Sequence, residues 1–312
     1  MEMFGPARSA HVHGVDVSYR ELGSGPPVVM LHGLADSHRT FRRVAPGLAQ
    51  RHRVLLIDLP GHGWSARPAN APYTASWYAD CVAGVMEQAH VERAAICGHS
   101  FGGGVALSML RDHGTRVDRL ALVAPGGLGR EVCLWLRLAS LPIARSLLGS
   151  AALRKLATDL AIRVGPARFA SPEREEMEIF HAIAQMPGTA EALARTIEAC
   201  LDVRGQRASF WEEATGISRL PPIAIFWGKR DPVVPFAHGP CATARLMHAS
   251  LHAYERAGHF PHLDEPERFV GDLSEFLGDA SRACCRLMDA KVEQGWFARL
   301  SAERVRVERT AA

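Results

Sequence analysis

The sequence lacks several things, and each absence narrows what it can be. In its 312 residues no uninterrupted apolar run approaches the ~20 residues a membrane-spanning helix needs, so no transmembrane segment is expected. The opening Met1-Glu2-Met3-Phe4-Gly5-Pro6 has neither the basic nor the apolar region of a secretory signal. Formal net charge is only +3 and the arginines are scattered, which argues against a nucleic-acid partner. The seven cysteines are an odd count with no C-x-x-C pair, so they read as reduced thiols of a cytoplasmic protein. Adjacent Cys284-Cys285 reads as surface or packing thiols. Histidine and the acids show no metal-ligand spacing, and no G-x-G-x-x-G follows a first strand. Neither metal nor dinucleotide is expected, and no cofactor is assigned. There is no internal repeat and no low-complexity tract. What remains is an ordinary globular composition, 47% apolar and 22% charged, at a length that suits one large α/β domain with an insertion.

Alternation through Ala10, Val12, Val15, Val17 and Tyr19 predicts an antiparallel hairpin over 9–22, turning near His13-Gly14. Four short apolar runs follow: Val28–Leu31, Arg53–Ile57, Ala94–Cys97 and Leu120–Val123. Each reads as a strand buried on both faces. Helices are predicted between them over about 38–49, 75–89 and 105–113, so the sheet is parallel and covered on both sides. From 128 to 217 helical patterns take over, at 131–148, 150–163, 172–185 and 188–202. The strand pattern resumes at Ile223–Trp227 and Ser250–Tyr254, with helices over about 237–247 and 265–277. The expected architecture is α/β: a mostly parallel sheet of about eight strands with an inserted helical cap. Residues 1–127 and 218–279 form its core domain, 128–217 the cap, and 280–312 a C-terminal helical extension. Cys285, Met288, Val292 and Trp296 recur at helical spacing in that extension, which either packs on the body or joins a homo-oligomer. Leu134, Trp135, Leu138, Leu141, Leu147 and Leu148 are read as a cap face over a pocket in preference to a membrane-surface face.

The chemistry centres on Gly98-His99-Ser100-Phe101-Gly102, where a strand meets a helix in a tight turn. Gly98 and Gly102 suit that turn because a Cβ at either position would clash. A serine hydroxyl needs a base, and the base an orienting carboxylate. Ser100, Asp231 and His259 each follow a strand's C-terminal end, and in an open parallel sheet those ends share one rim. Ser100 is the expected nucleophile, His259 the base and Asp231 its orienting acid. His262 competes with His259; His259 is preferred because Gly258 makes a loop apex whereas Pro261-His262 approaches the next helix. The oxyanion donors are expected at Phe101, after the nucleophile, and Leu34, after His32-Gly33. His32, Gly33, His99, Trp135 and Leu138 are candidate pocket residues. Asp58 reads as turn chemistry before Pro60-Gly61-His62-Gly63, Asp36 and Ser37 as oxyanion-loop or helix-cap residues, and Cys97 as packing.

Taken together, these pieces resemble the α/β-hydrolase superfamily over nearly all of residues 10–278. The resemblance rests on His32-Gly33, Asp58–Ser65, the Ser100 elbow, Trp227-Gly228-Lys229-Arg230-Asp231 and Gly258-His259-Phe260. The order serine, acid, histidine is also that family's. The resemblance implies a capped serine hydrolase acting on a small-molecule ester or related acyl substrate, first a carboxylesterase for small to medium apolar acyl groups. The alternative is a carbon–carbon bond hydrolase of the meta-cleavage type, which an arginine-lined pocket (Arg130, Arg137, Arg204) would favour. Relatives of that type usually carry asparagine where this chain has His99. A non-catalytic binding protein is the third reading.

Overall fold

The computed structural model describes residues 4–141, 174–207, 209–213, 220–278 and 286–287. Strands β1 (Ala7–Val12) and β2 (Val15–Leu22) form the expected hairpin. It turns at His13 and Gly14, with φ of 51° and 78°, the left-handed pair that matches strand twist in a two-residue turn. Next come β3 (Pro27–Leu31), β4 (Arg53–Ile57), β5 (Ala94–His99) and β6 (Val117–Val123). Two-residue strands β7 (Leu201–Asp202) and β8 (Gly205–Gln206) pair only with each other. They are followed by β9 (Ile223–Gly228), β10 (Leu246–Met247), β11 (Ser250–Tyr254) and β12 (Arg286–Leu287). The main sheet has eight strands in the order β1-β2-β4-β3-β5-β6-β9-β11. From β4 to β11 all neighbours are parallel.

Each central strand feeds two cores. Val29, Leu31, Leu55, Ile57, Ile96 and Leu122 face one side; Val28, Met30, Val54, Leu56, Cys97 and Val123 face the other. That is the two-residue period of a strand covered on both faces. Helices α1 (Ala75–Gln88) and α2 (Phe101–Asp112) cover the first side through residues such as Tyr78, Val82, Val105 and Met109. Thr74 caps α1, its hydroxyl accepting from the Trp77 amide. Between β6 and β9 lie α3 (Leu134–Ala139), α4 (Arg174–Ala184) and α5 (Thr189–Cys200). After β9 come α6 (His238–Arg245) and α7 (Pro266–Gly278). Phe269, Leu273 and Phe276 of α7, with Phe41, Val44 and Leu48, close the second core.

Two expectations need correction. The helix predicted over 38–49 is a 3-10 turn, His38–Phe41, capped by Ser37, and then a separate short helix, Ala45–Leu48. Pro46 is the cause: it has no amide to donate and its ring clashes with the preceding turn, so it fits only where a helix begins. In the C-terminal extension, Arg286–Leu287 pairs as a strand with Leu246–Met247 instead of continuing a helix. The other residues singled out there, Cys284, Cys285, Met288, Val292 and Trp296, lie outside the described residues, as do the helix expected over 150–163, Leu147 and Leu148.

Candidate active site

Ser100 sits between β5 and α2 with φ 52° and ψ −117°. For a residue with a Cβ this conformation is strained, and it persists only where surrounding bonds over-determine it. Here the Ser100 amide donates to the Val123 carbonyl at 2.9 Å. The Ser100 carbonyl accepts from the amides of Gly103 (2.9 Å) and Gly126 (2.8 Å). A Cβ on Gly98 would lie 2.3 Å from the Gly102 carbonyl oxygen, and one on Gly102 would lie 2.3 Å from that of Leu31. Both glycines are therefore required by close approach of backbone.

The loop after β9 and the loop after β11 bring two more groups to this rim. His259 Nε2 lies 2.9 Å from Ser100 Oγ, and His259 Nδ1 lies 2.8 Å from Asp231 Oδ2. The carboxylate can only accept, so Nδ1 carries the proton and Nε2 is left to accept from the serine hydroxyl. Asp231, with its side chain fully buried, is held from two sides. Its Oδ1 accepts the amides of Val233 (2.8 Å) and Val234 (3.1 Å), and its Oδ2 accepts the indole N–H of Trp227 (3.0 Å). Trp227 escaped the sequence reading as a functional residue, since a tryptophan ending an apolar strand reads as core.

The sequence pattern of the alpha/beta hydrolase fold family matches residues 26–266. The chain belongs to that family. An uncharacterized protein of Mycobacterium tuberculosis is 33% identical over 278 residues, covering 85% of this chain and 79% of that one. A pimeloyl-[acyl-carrier protein] methyl ester esterase of Aeromonas hydrophila is 30% identical over 269 residues, covering 85% of this chain and all of the relative. Among solved structures, a meta-cleavage product hydrolase from Pseudomonas fluorescens superposes with a TM-score of 0.70. It is 25% identical, with 89% of this chain and 99% of that chain covered.

In this α/β-hydrolase the other histidines near the rim are buried and hold loops. His262, the competing base, is turned away: its Nε2 meets Thr40 Oγ1 at 3.1 Å, and its ring packs among Phe41, Phe260 and Phe269. Burial, with the nearby His259, pushes its pKa down to about 3. His99 lies beneath His259 and its Nε2–H donates to the His259 carbonyl at 2.9 Å. Burial and the neighbouring His262 and His259 hold it well below the ordinary histidine range, so it is neutral. His32 accepts the Leu59 amide on Nε2 and donates from Nδ1 to the Gly33 carbonyl. Asp58, also fully buried, accepts the amides of His38 (2.7 Å) and Trp64 (3.1 Å) and the His38 ring (3.0 Å). Burial raises this carboxyl, but the His38 bonds and charge outweigh it and leave the pKa below the usual value. Asp58 thus organises its own turn, and a Cβ on Gly63 would strike it. Cys97 is buried in β5, its thiol pushed up to about 12 by desolvation.

Beside Ser100 opens a cavity of about 260 Å³. Leu34 and Phe101 both border it, as do Leu136, Ile197, Phe210 and Val234. The candidate pocket residues fall elsewhere. His32 and Gly33 are buried in the loop after β3 and His99 at the end of β5, behind the rim, and Trp135 and Leu138 are each 51% exposed. Of the α3 leucines it is Leu136 that turns inward, because the helix is only six residues long and presents a single inner position. Arg130 pairs with Asp202 at 3.5 Å, Arg137 donates to the Val203 carbonyl, and Arg204 is exposed; none of the three borders the cavity. Among the described residues no helix is long and apolar enough to cross a membrane, and no group of histidine, cysteine and acids is arranged to hold a metal.

Proposed function

We propose that this α/β-hydrolase is a serine carboxylesterase for small to medium acyl groups. The observation that carries the reading is the unbroken hydrogen-bond chain Ser100–His259–Asp231 opening onto a largely apolar cavity. Ser100 Oγ attacks the ester carbonyl while His259 Nε2 takes its proton. His259 then returns the proton to the departing alcohol, leaving an acyl-enzyme that water opens by the same steps. Asp231 keeps the proton on Nδ1 and stabilises the imidazolium. The amides of Phe101 and Leu34 receive the oxyanion; each such donor is worth about 3–4 kcal/mol in the transition state. From the span 128–217, expected as the cap, Val132, Leu136, Ile197 and Phe210 line the acyl site.

The similarity to a meta-cleavage product hydrolase supports a second reading, carbon–carbon bond hydrolysis by the same triad. Arg130, Arg137 and Arg204 lie off the cavity, which favours the ester. A p-nitrophenyl ester series on wild type and Ser100→Ala, with organophosphonate labelling, tests the choice. Turnover that disappears in Ser100→Ala, with the label on Ser100, supports the esterase. Labelling with no ester turnover moves the assignment to carbon–carbon cleavage, and a folded protein that takes no label refutes the triad.

A further inference from the structure

The cavity does not stop at the serine. Phe101, Gly104, Leu107, Ser108 and Arg111 all border it, and all belong to α2. At 100° per residue these positions fall within one third of the helix circumference, so the cavity follows a single stripe of α2. From Ser100 to Arg111 that stripe rises about 16 Å. Helical side chains lean toward the N-terminus, so the Arg111 guanidinium reaches back over the last turns and shortens the free length. The volume agrees with a shorter occupant: about 260 Å³ holds eight or nine water-sized groups at ~30 Å³ each.

The two ends differ in chemistry. Near Ser100 the wall is Leu34, Phe101, Leu136 and Val234. At the far end it is Thr74, Ser76, Ser108 and Arg111. Ser108 is only 5% exposed, and its hydroxyl has no hydrogen-bond partner among the described residues. A hydroxyl that lines a cavity is hydrated there until a ligand enters, and a ligand that cannot replace that hydrogen bond leaves it unpaired. Arg111 is held in place by Asp112, which accepts Nε–H at 2.6 Å and Nη2–H at 2.8 Å, and it also donates to Ser76. That pair is charge-balanced. A ligand carboxylate beside it would face Asp112, whereas a neutral oxygen would not.

Building on the esterase reading above, we propose that the far end of this cavity is a polar subsite. The acyl group it selects is a chain of about six to eight carbons carrying a neutral oxygen, as hydroxyl or ketone, at its distal end. Ser108 makes the deciding bond to that oxygen.

The test compares p-nitrophenyl 8-hydroxyoctanoate, p-nitrophenyl octanoate and the mono-p-nitrophenyl ester of suberate on wild type and Ser108→Ala. The readout is the ratio of kcat/KM between esters, which a general loss of fold or activity does not move. One well-made hydrogen bond to a buried partner corresponds to about a tenfold preference for the hydroxy ester over octanoate. Ser108→Ala should bring that ratio to about one. A wild-type ratio near one, a ratio that Ser108→Ala leaves unchanged, or a suberate ester that outruns the hydroxy ester would each overturn the subsite. Should no ester turn over, the esterase reading fails by itself, and binding decides the subsite separately. Free 8-hydroxyoctanoate should then raise the melting temperature of Ser100→Ala protein more than octanoate at equal concentration; equal shifts would overturn it.

Discussion

His262 gives the sharpest link between burial and pH. The ring is fully buried, holds one hydrogen bond to Thr40, and leaves Nδ1 unpartnered among aromatic neighbours. Its pKa is near 3 in the fold against an ordinary 6.5. Below pH 6.5 the unfolded chain takes up a proton that the native state refuses. This contribution is therefore complete above pH 6.5 and is lost as the pH falls toward 3. At pH 5 the gap of 1.5 units costs about 2 kcal/mol from this ring alone. His262→Phe removes the titration and keeps an aromatic ring among Phe41, Phe260 and Phe269. It also deletes the Thr40 bond, a loss of about 1 kcal/mol at neutral pH. The variant should therefore be about 1 kcal/mol less stable than wild type at pH 7 and about 1 kcal/mol more stable at pH 5, the curves crossing near pH 6. Urea unfolding followed by tryptophan fluorescence at pH 7, 6 and 5 measures this directly. A deficit of equal size at pH 7 and pH 5 would refute the reasoning. His62, also near 3 through burial and the adjacent His32, adds a similar acid sensitivity in the same window.

Trp227→Phe removes the indole donor to Asp231 and should lower kcat about tenfold, as expected for a hydrogen bond to a charged group, with KM little changed; a purely KM effect in steady-state kinetics would contradict that role. Asp58→Ala strips the His38 ring and two amides of their acceptor and should cost about 3 kcal/mol or more in denaturant unfolding, while a loss below 1 kcal/mol would show that the turn holds without it. Gly98→Ala sets a methyl group against the Gly102 carbonyl, so the soluble fraction should take no organophosphonate; normal labelling would mean the elbow tolerates the side chain.

The sheet and the three rim residues were legible because each rests on a local rule. Apolar runs of four or five residues marked the buried strands, and the spacing of Gly98, Ser100 and Gly102 marked a turn that only glycines can flank. What failed depended on which way a side chain faces. Leu134, Trp135 and Leu138 are apolar, yet on a six-residue helix the packing of the neighbouring chain decides which position turns inward, and it chose Leu136. Helix 38–49 was misjudged by weighting Phe41, Val44, Ala45 and Leu48 above Pro46, whose missing amide decides the matter. His99 acts through one hydrogen bond to a loop 160 residues away and Trp227 through its indole N–H to the turn that follows its own strand, and no periodicity reports either. The Ser108–Arg111 stripe did leave a signal in the three- and four-residue spacing along α2, but the same spacing describes any buried helix face.

The elbow at Ser100 also sets an order of events. Its strained turn is tied down by the Val123 carbonyl and the Gly126 amide, both of which come later in the chain. The proposed base and its carboxylate come later still, at 259 and 231. During synthesis, which lays down the chain from its N-terminus, the serine is therefore held only by the amides of its own helix, Gly103 and Gly104, until β6 has joined the sheet. On the proposed reading it meets no base until the loop after β11 has closed. A nascent or truncated chain would carry a chemically ordinary alcohol, and reactivity would arrive only with the last strand of the sheet. On that reading, covalent labelling of this one hydroxyl measures whether the sheet has been completed through the loop after β11.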